Sequence, residues 1–229
     1  MKTFTSFLVF LGIFVPEIFA QINVDALYQE YLIAKRRDAS YFNRIDGSPY
    51  SNQDFSEAVV YFRGNPSPVT GKLRYNELFD EMEMEKDESD EFLIVENKHI
   101  IDTIFLSQNE ETYRFLIYQD RDNISKGYLL QLVEGNCSLF LKRSREYQPE
   151  KKAAAYQDYV PPSIIKKPDL YYMSFGETTP ELIPQSAKKI IEFFRQKGYD
   201  LTKMNRKQIK YDSTSLIEIA RFCNDQKTE

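Results

Sequence analysis

A chain of 229 residues with a formal net charge of −5, its acids and bases interspersed outside one acidic block, lacks the basic patch that nucleic-acid binding calls for. Its single histidine, His99, excludes a His-rich metal site and leaves a Ser-His or Cys-His hydrolase one candidate base, at the start of an apolar strand where a packed or edge histidine is the ordinary reading. None of the eight glycines falls in phosphate-loop or dinucleotide-binding spacing, so the chain offers no cofactor fingerprint.

Residues 1–20 read as a signal peptide: Lys2 is the positive start, Phe4–Val15 the apolar core, and Ile18-Phe19-Ala20 ends on a small residue, which places cleavage after Ala20. The segment is short of the roughly 20 apolar residues of a membrane span, no Cys follows it for a lipid anchor, and no later window is apolar enough to span. The mature chain is therefore expected in the periplasm or the medium. Residues 21–38 read as an N-terminal helix, with Val24, Leu27, Tyr28, Tyr31 and Leu32 at helical spacing, Asn23 or Asp25 as cap and Lys35-Arg36-Arg37 at the carboxyl end.

Residues 39–147 read as a β-rich domain. The 16 Tyr and 17 Phe, without a Trp, suit strand packing better than a sugar-stacking surface. Strands are predicted over Ala58–Phe62, Lys72–Asn76, Asp80–Glu85, Phe92–Val95, Ile100–Leu106, Tyr113–Tyr118, Tyr128–Val133 and Cys137–Arg143, with breaks that include Gly64–Gly71 and Asp120–Gly127. This spacing suits an antiparallel β-sandwich or partly open β-barrel. The later strands are apolar on both faces, so the terminal helices are expected to cover one of them.

Within this domain Lys72–Glu85 alternates as a hairpin with a turn at Asn76–Asp80. Its outer face sets Lys72 and Arg74 opposite an acidic face of Glu81, Glu83 and Glu85, each cross-strand pair contributing roughly 0.2–1 kcal/mol. Nine of the fifteen residues from Glu77 to Glu91 are acidic, which raises a cation site. Carboxylates two apart on one strand stand about 6.6–6.8 Å apart, too far to converge alone. No calcium-loop motif is present, and acids this common make any glycosidase-type carboxylate pairing uninformative. No metal or catalytic residue is assigned.

Residues 148–168 read as a proline-bearing surface linker. Residues 169–229 read as a strand, Asp169–Phe175, followed by a helical hairpin packed on the sheet. Ile183, Ala187, Ile190, Ile191 and Phe194 form the stripe of its first helix, stopped at Gly198, and Leu216, Ile219, Ala220 and Cys223 that of its second, with Ser215-x-x-Glu218 matching a capping box. Cys137 and Cys223 have two readings. A disulfide would close a loop of about 85 residues and contribute about 4.5 kcal/mol by chain entropy; the alternative is two buried free thiols.

GSPY at Gly47–Tyr50, the LRYNELFDEMEME core, IIDTIFL at Ile100–Leu106, GYLLQLVEGNCSLFLKR at Gly127–Arg143 and DLYYMSFG at Asp169–Gly176 together resemble a family of small secreted proteins from Bacteroidota without an assigned activity. The resemblance implies export and a β-rich body with helices; it implies no site residues. The fold class is thus α+β, and the leading function an exported, non-enzymatic binding or structural protein, its partner an unknown protein or envelope component. Two alternatives stand beside it: a carrier of a small apolar ligand in a barrel-like pocket of about 300 Å³ or more, and a His-independent hydrolase using Asp or Glu.

Overall fold

The computed structural model describes residues 45–86, 91–151 and 158–226, together with the backbone of 36–38. The expected signal peptide and most of the expected N-terminal helix lie outside the described residues. Where that helix was expected to end, Arg36–Asp38 instead form strand β1.

The strands that follow are β2 (Ser56–Phe62), β3 (Asn65–Asn76), β4 (Glu81–Glu85), β5 (Glu91–Ile94), β6 (Ile101–Leu106), β7 (Glu111–Asp120), β8 (Asn123–Val133), β9 (Cys137–Lys142), β10 (Arg145–Gln148), β11 (Ser163–Lys166), β12 (Leu170–Phe175) and β13 (Glu181–Leu182). Eleven of them form one sheet in the order β1-β5-β4-β3-β2-β6-β7-β13-β12-β9-β8, and β8 pairs back onto β7. Strands β7, β8, β9, β12 and β13 therefore make a closed five-strand barrel. The others extend from β7 as a side sheet. The ring closes through the short β13, which runs parallel to β7 at Glu181 and Gln119, reinforced by Gln119 N–H donating to Pro180 O at 2.8 Å.

Both faces are buried through the middle of β8 and β12, as the apolar runs of β8 predict, and all six residues of β9 are buried. One face joins a large core with the side sheet and the helices, through residues such as Leu73, Ile104, Tyr128, Leu139, Phe194 and Ile219. The opposite face forms a smaller core of Tyr118, Leu129, Phe140 and Tyr172, with Leu116, Leu170 and Leu182 packed against it. Every barrel strand contributes to this second core.

Helix α1 (Ala187–Gln196) is capped by Ser186, whose side chain accepts from Lys189 N. It ends at Gly198, where φ is +85° and Tyr199 N donates to Phe194 O at 3.0 Å. Two 3-10 turns, Leu201–Lys203 and Arg206–Gln208, lead to α2 (Ser213–Gln226), which lies against β8 and β9. No helix among the described residues is long and apolar enough to cross a membrane.

Four expectations are corrected. The stretch predicted to break at Gly64–Gly71 is the first half of β3: β4 pairs only with Leu73–Asn76, so Pro66 and Pro68 occupy edge strand, where a missing N–H is tolerated. The predicted break at Asp120–Gly127 narrows to a hairpin in which Asp120 pairs with Asn123. The predicted linker contains β11, which pairs with β10. Finally, the cap of α2 is Asp212, whose Oδ1 accepts from Ser215 N at 2.8 Å. Ser215 sits inside the helix, where its Oγ accepts from Lys210 N at 2.9 Å and donates to Gln208 O.

Candidate functional site

The acidic hairpin forms in the expected register. Arg74 lies opposite Glu83, and Lys72 Nζ is 3.0 Å from Glu85. The acidic face, however, does not meet solvent as predicted. Glu83 has no exposed surface, and Glu81 and Glu85 are half-buried. Arg74 Nε donates to Glu83 Oε2 at 2.8 Å, Tyr50 O–H donates to the same oxygen at 2.8 Å, and Asn76 Nδ2 donates to Oε1 at 2.7 Å. The rings of Tyr50 and Phe55 sit 4.1 and 4.2 Å from the Arg74 guanidinium carbon. Alternation within the strands says which side chains share a face; it cannot say that the loop at Tyr50–Phe55 will cover that face.

The turn after β3 is equally engaged. Glu77 is buried and accepts from Arg145 Nε at 2.8 Å. Asp80 Oδ1 accepts from Tyr75 O–H at 2.7 Å and from Tyr128 N at 3.2 Å, with Lys142 Nζ at 2.5 Å. Nearby, Arg143 binds Glu111 at 2.6 Å, and Tyr113 O–H donates to Glu111 at 3.0 Å. A cavity of about 80 Å³ among Arg74, Glu77, Glu111, Tyr113 and Arg143 has room for a few waters only. Among the described residues, no three His, Cys, Asp or Glu side chains come together as metal ligands.

A second concavity is larger. A groove of about 1090 Å³ runs along barrel residues Tyr118, Leu170, Tyr172 and Leu182 to the amino end of α1 at Ser186 and Lys189. Its wall carries Tyr118 and Tyr172, in edge-to-face contact with ring centroids 4.8 Å apart. The two residues are only 7% and 1% exposed; neither hydroxyl is among the buried polar atoms without a partner, so each O–H reaches the open groove rather than lying sealed in the core. Burial first, with help from Asp80 and Asp120, pushes the Tyr118 phenol up to about 12. Burial and Asp120 push Tyr172 higher still. Both are therefore O–H donors at neutral pH.

Cations gather along the same groove: Arg121, Lys142, Lys167 and Lys189. Lys142 is held by Asp80, and Lys167 lies 3.9 Å from Glu146 in an exposed pair. Arg121 occupies the β7–β8 turn at φ +54°, left-handed backbone where glycine is the usual choice. The amino end of α1 adds the positive pole of the helix dipole. Of the two groove acids, Asp120 and Glu181, Glu181 is neutralised by Lys197 at 2.6 Å. Sequence reading missed this groove, because its residues come from a hairpin turn, two strand ends and a helix start that only the closed barrel brings together. The one available signal was a cation, Arg121, in a two-residue turn that favours glycine.

The remaining sequence candidates lie elsewhere. Cys137 and Cys223 are fully buried and not joined by a disulfide. Their side chains are in hydrogen-bond contact, and that contact together with burial pushes the Cys223 thiol up. Asn224 holds the Cys137 backbone from both sides, accepting from its N–H at 2.6 Å and donating to its carbonyl at 3.2 Å. His99 is exposed on the 3-10 turn Lys98–Ile100 and does not line the groove. No family model, no curated protein and no solved structure matches this chain.

Proposed function

We propose that this chain is an exported, non-enzymatic binding protein and that its ligand seat is the groove walled by Tyr118 and Tyr172. One observation carries this reading: two tyrosines whose rings are packed into the barrel present their hydroxyls to a groove with room for a small molecule. Convergent polar groups in a concavity of several hundred Å³ or more are the usual mark of a ligand site. Export rests on the signal-like residues 1–20 and on the resemblance to secreted Bacteroidota proteins.

The alternatives draw less support. A hydrolase working through Asp or Glu needs carboxylates free to exchange protons, whereas Glu77, Asp80, Glu83 and Glu111 are each bound to a Lys or Arg at 2.5–2.8 Å. An apolar carrier needs an empty apolar chamber, whereas the barrel's smaller core is occupied by packed side chains and the groove is ringed with cations.

Saturation-transfer NMR with a panel of neutral and charged polar fragments tests the seat. The expected outcome is a set of hits that disappear in the Tyr118→Phe/Tyr172→Phe double variant. An absence of hits, or hits indifferent to both substitutions, refutes it. Amino-terminal sequencing of protein from the cell envelope and medium tests export, with a start at Gln21 expected and an intact Met1 contrary to it.

A further inference from the structure

The four cations along the groove outnumber its two acids, and this defines the ligand's charge. With Lys142, Lys167 and Glu181 held in ion pairs with Asp80, Glu146 and Lys197, Arg121 and Lys189 share the groove with one carboxylate not so held among the described residues, Asp120. Tyr118 and Tyr172 add two hydroxyl donors, and Ser186 with Lys189 sets the positive end of a ten-residue helix on the rim. This excess of positive charge stands out on a chain whose net charge is −5. An acceptor-rich anion satisfies such a set; a neutral or cationic molecule leaves it unpaired. Asp120, the acceptor among these donors, suits a hydroxyl group on the same ligand.

Resting on the groove as the ligand seat, we propose that the ligand is a small oxyanion, a carboxylate or phosphate, carried on a hydroxyl-bearing body. The oxyanion lies toward Arg121, Lys189 and the tyrosine hydroxyls, and a ligand hydroxyl lies toward Asp120. Charge-assisted hydrogen bonds of this kind are the strong ones, and binding weakens as salt screens the exposed cations.

The test is an amide chemical-shift titration of the whole mature protein with glycerol phosphate, glycerate and glycerol as probes. Saturable shifts confined to the residues around Tyr118, Tyr172, Arg121 and Ser186 are expected for one or both anions, and none for glycerol. The arms separate the two sources: saturation by glycerol phosphate alone assigns a phosphate, by glycerate alone a carboxylate. Lys189→Gln, an exposed substitution that leaves the fold intact, is expected to weaken binding about tenfold, as is added salt. Saturation by glycerol with no gain from either anion overturns the oxyanion assignment while leaving the groove as a seat. Failure of all three probes, in a protein whose groove still binds fragments, also overturns it. Failure of probes and fragments alike removes both readings.

Discussion

Asp80 and Lys142 meet where β8 and β9 part. The last ladder pair between these strands is Leu130 with Leu141, which leaves the backbone of Tyr128 without a strand partner on that side. Asp80 Oδ1 accepts from Tyr128 N at 3.2 Å, and Lys142 Nζ donates to Tyr128 O at 3.1 Å. An ion pair between two side chains thus stands in for a strand. It also fixes the turn of the acidic hairpin to the barrel, with Lys98 Nζ donating to Asp80 O at 2.6 Å. Gly127 makes the approach possible, since a Cβ there would collide with the Asp80 carboxylate.

Removing one member of this pair strands the other. Burial is the larger effect on Lys142 and lowers its pKa against the opposing pull of Asp80, so the ammonium depends on that carboxylate. Asp80→Asn is expected to cost about 2–3 kcal/mol, below the figure for a fully buried pair because Asp80 is partly exposed. Urea denaturation of the single and double variants measures it. Lys142→Met in the Asp80→Asn background should add less than it does alone.

The buried Arg74–Glu83 pair gives a larger effect. Glu83→Gln preserves shape and leaves the guanidinium uncompensated beneath Tyr50 and Phe55. A loss of about 3–5 kcal/mol is expected. Glu85→Gln, whose pairing with Lys72 is partly exposed, is expected to cost under about 1 kcal/mol. Equal losses in the two variants would remove the distinction between the buried and the exposed half of the hairpin.

Alkaline pH should unfold the protein through its tyrosines. Burial raises Tyr75, Tyr113, Tyr118, Tyr128 and Tyr172 above the ordinary value of 10.0. Below about pH 10 both states keep these protons and stability is undiminished. Above it the unfolded chain sheds protons that the folded chain retains, so stability falls with rising pH. Lys142, lowered from 10.5, acts in the opposite direction below that value, as one group against five. Phenolate absorbance of the buried tyrosines should therefore rise together with loss of the circular dichroism signal. Every tyrosine titrating in the folded protein would contradict this.

The start of α2 separates a sequence motif from a structural cap. Asp212→Ala should cost about 1 kcal/mol. Glu218→Ala, at an exposed position, should stay within about 0.5 kcal/mol, although the Ser215-x-x-Glu218 spacing reads as a capping box. Thermal melts of the two variants distinguish them.

Legibility in the sequence followed the range of the forces involved. Alternation at Leu73, Tyr75, Met82 and Met84 gave the hairpin and its register, because which face a strand residue occupies is a local property. The two-faced apolar runs of β8 and β9 gave buried strands. The pairing of β8 back onto β7, which closes the barrel, and the two-residue β13 that completes it rest on contacts between distant segments and left no local pattern. Glu83 shows the same limit: charge alternation marks an outer face, and only tertiary structure covers it. The groove was the least legible feature, since Tyr118, Arg121, Tyr172 and Lys189 are ordinary residues until the barrel sets them side by side.

The most direct measurement uses the absence of tryptophan from the chain. Gln185→Trp, at an exposed position on the groove rim, installs a single indole, excited selectively near its red edge, beside the proposed seat. Titrated separately with glycerol phosphate, glycerate and glycerol, this protein should show a saturable fluorescence change with at least one anion, lost when Tyr118→Phe and Tyr172→Phe are added. A response that never saturates with any probe, or one that survives both tyrosine substitutions unchanged, would contradict the groove as the binding seat.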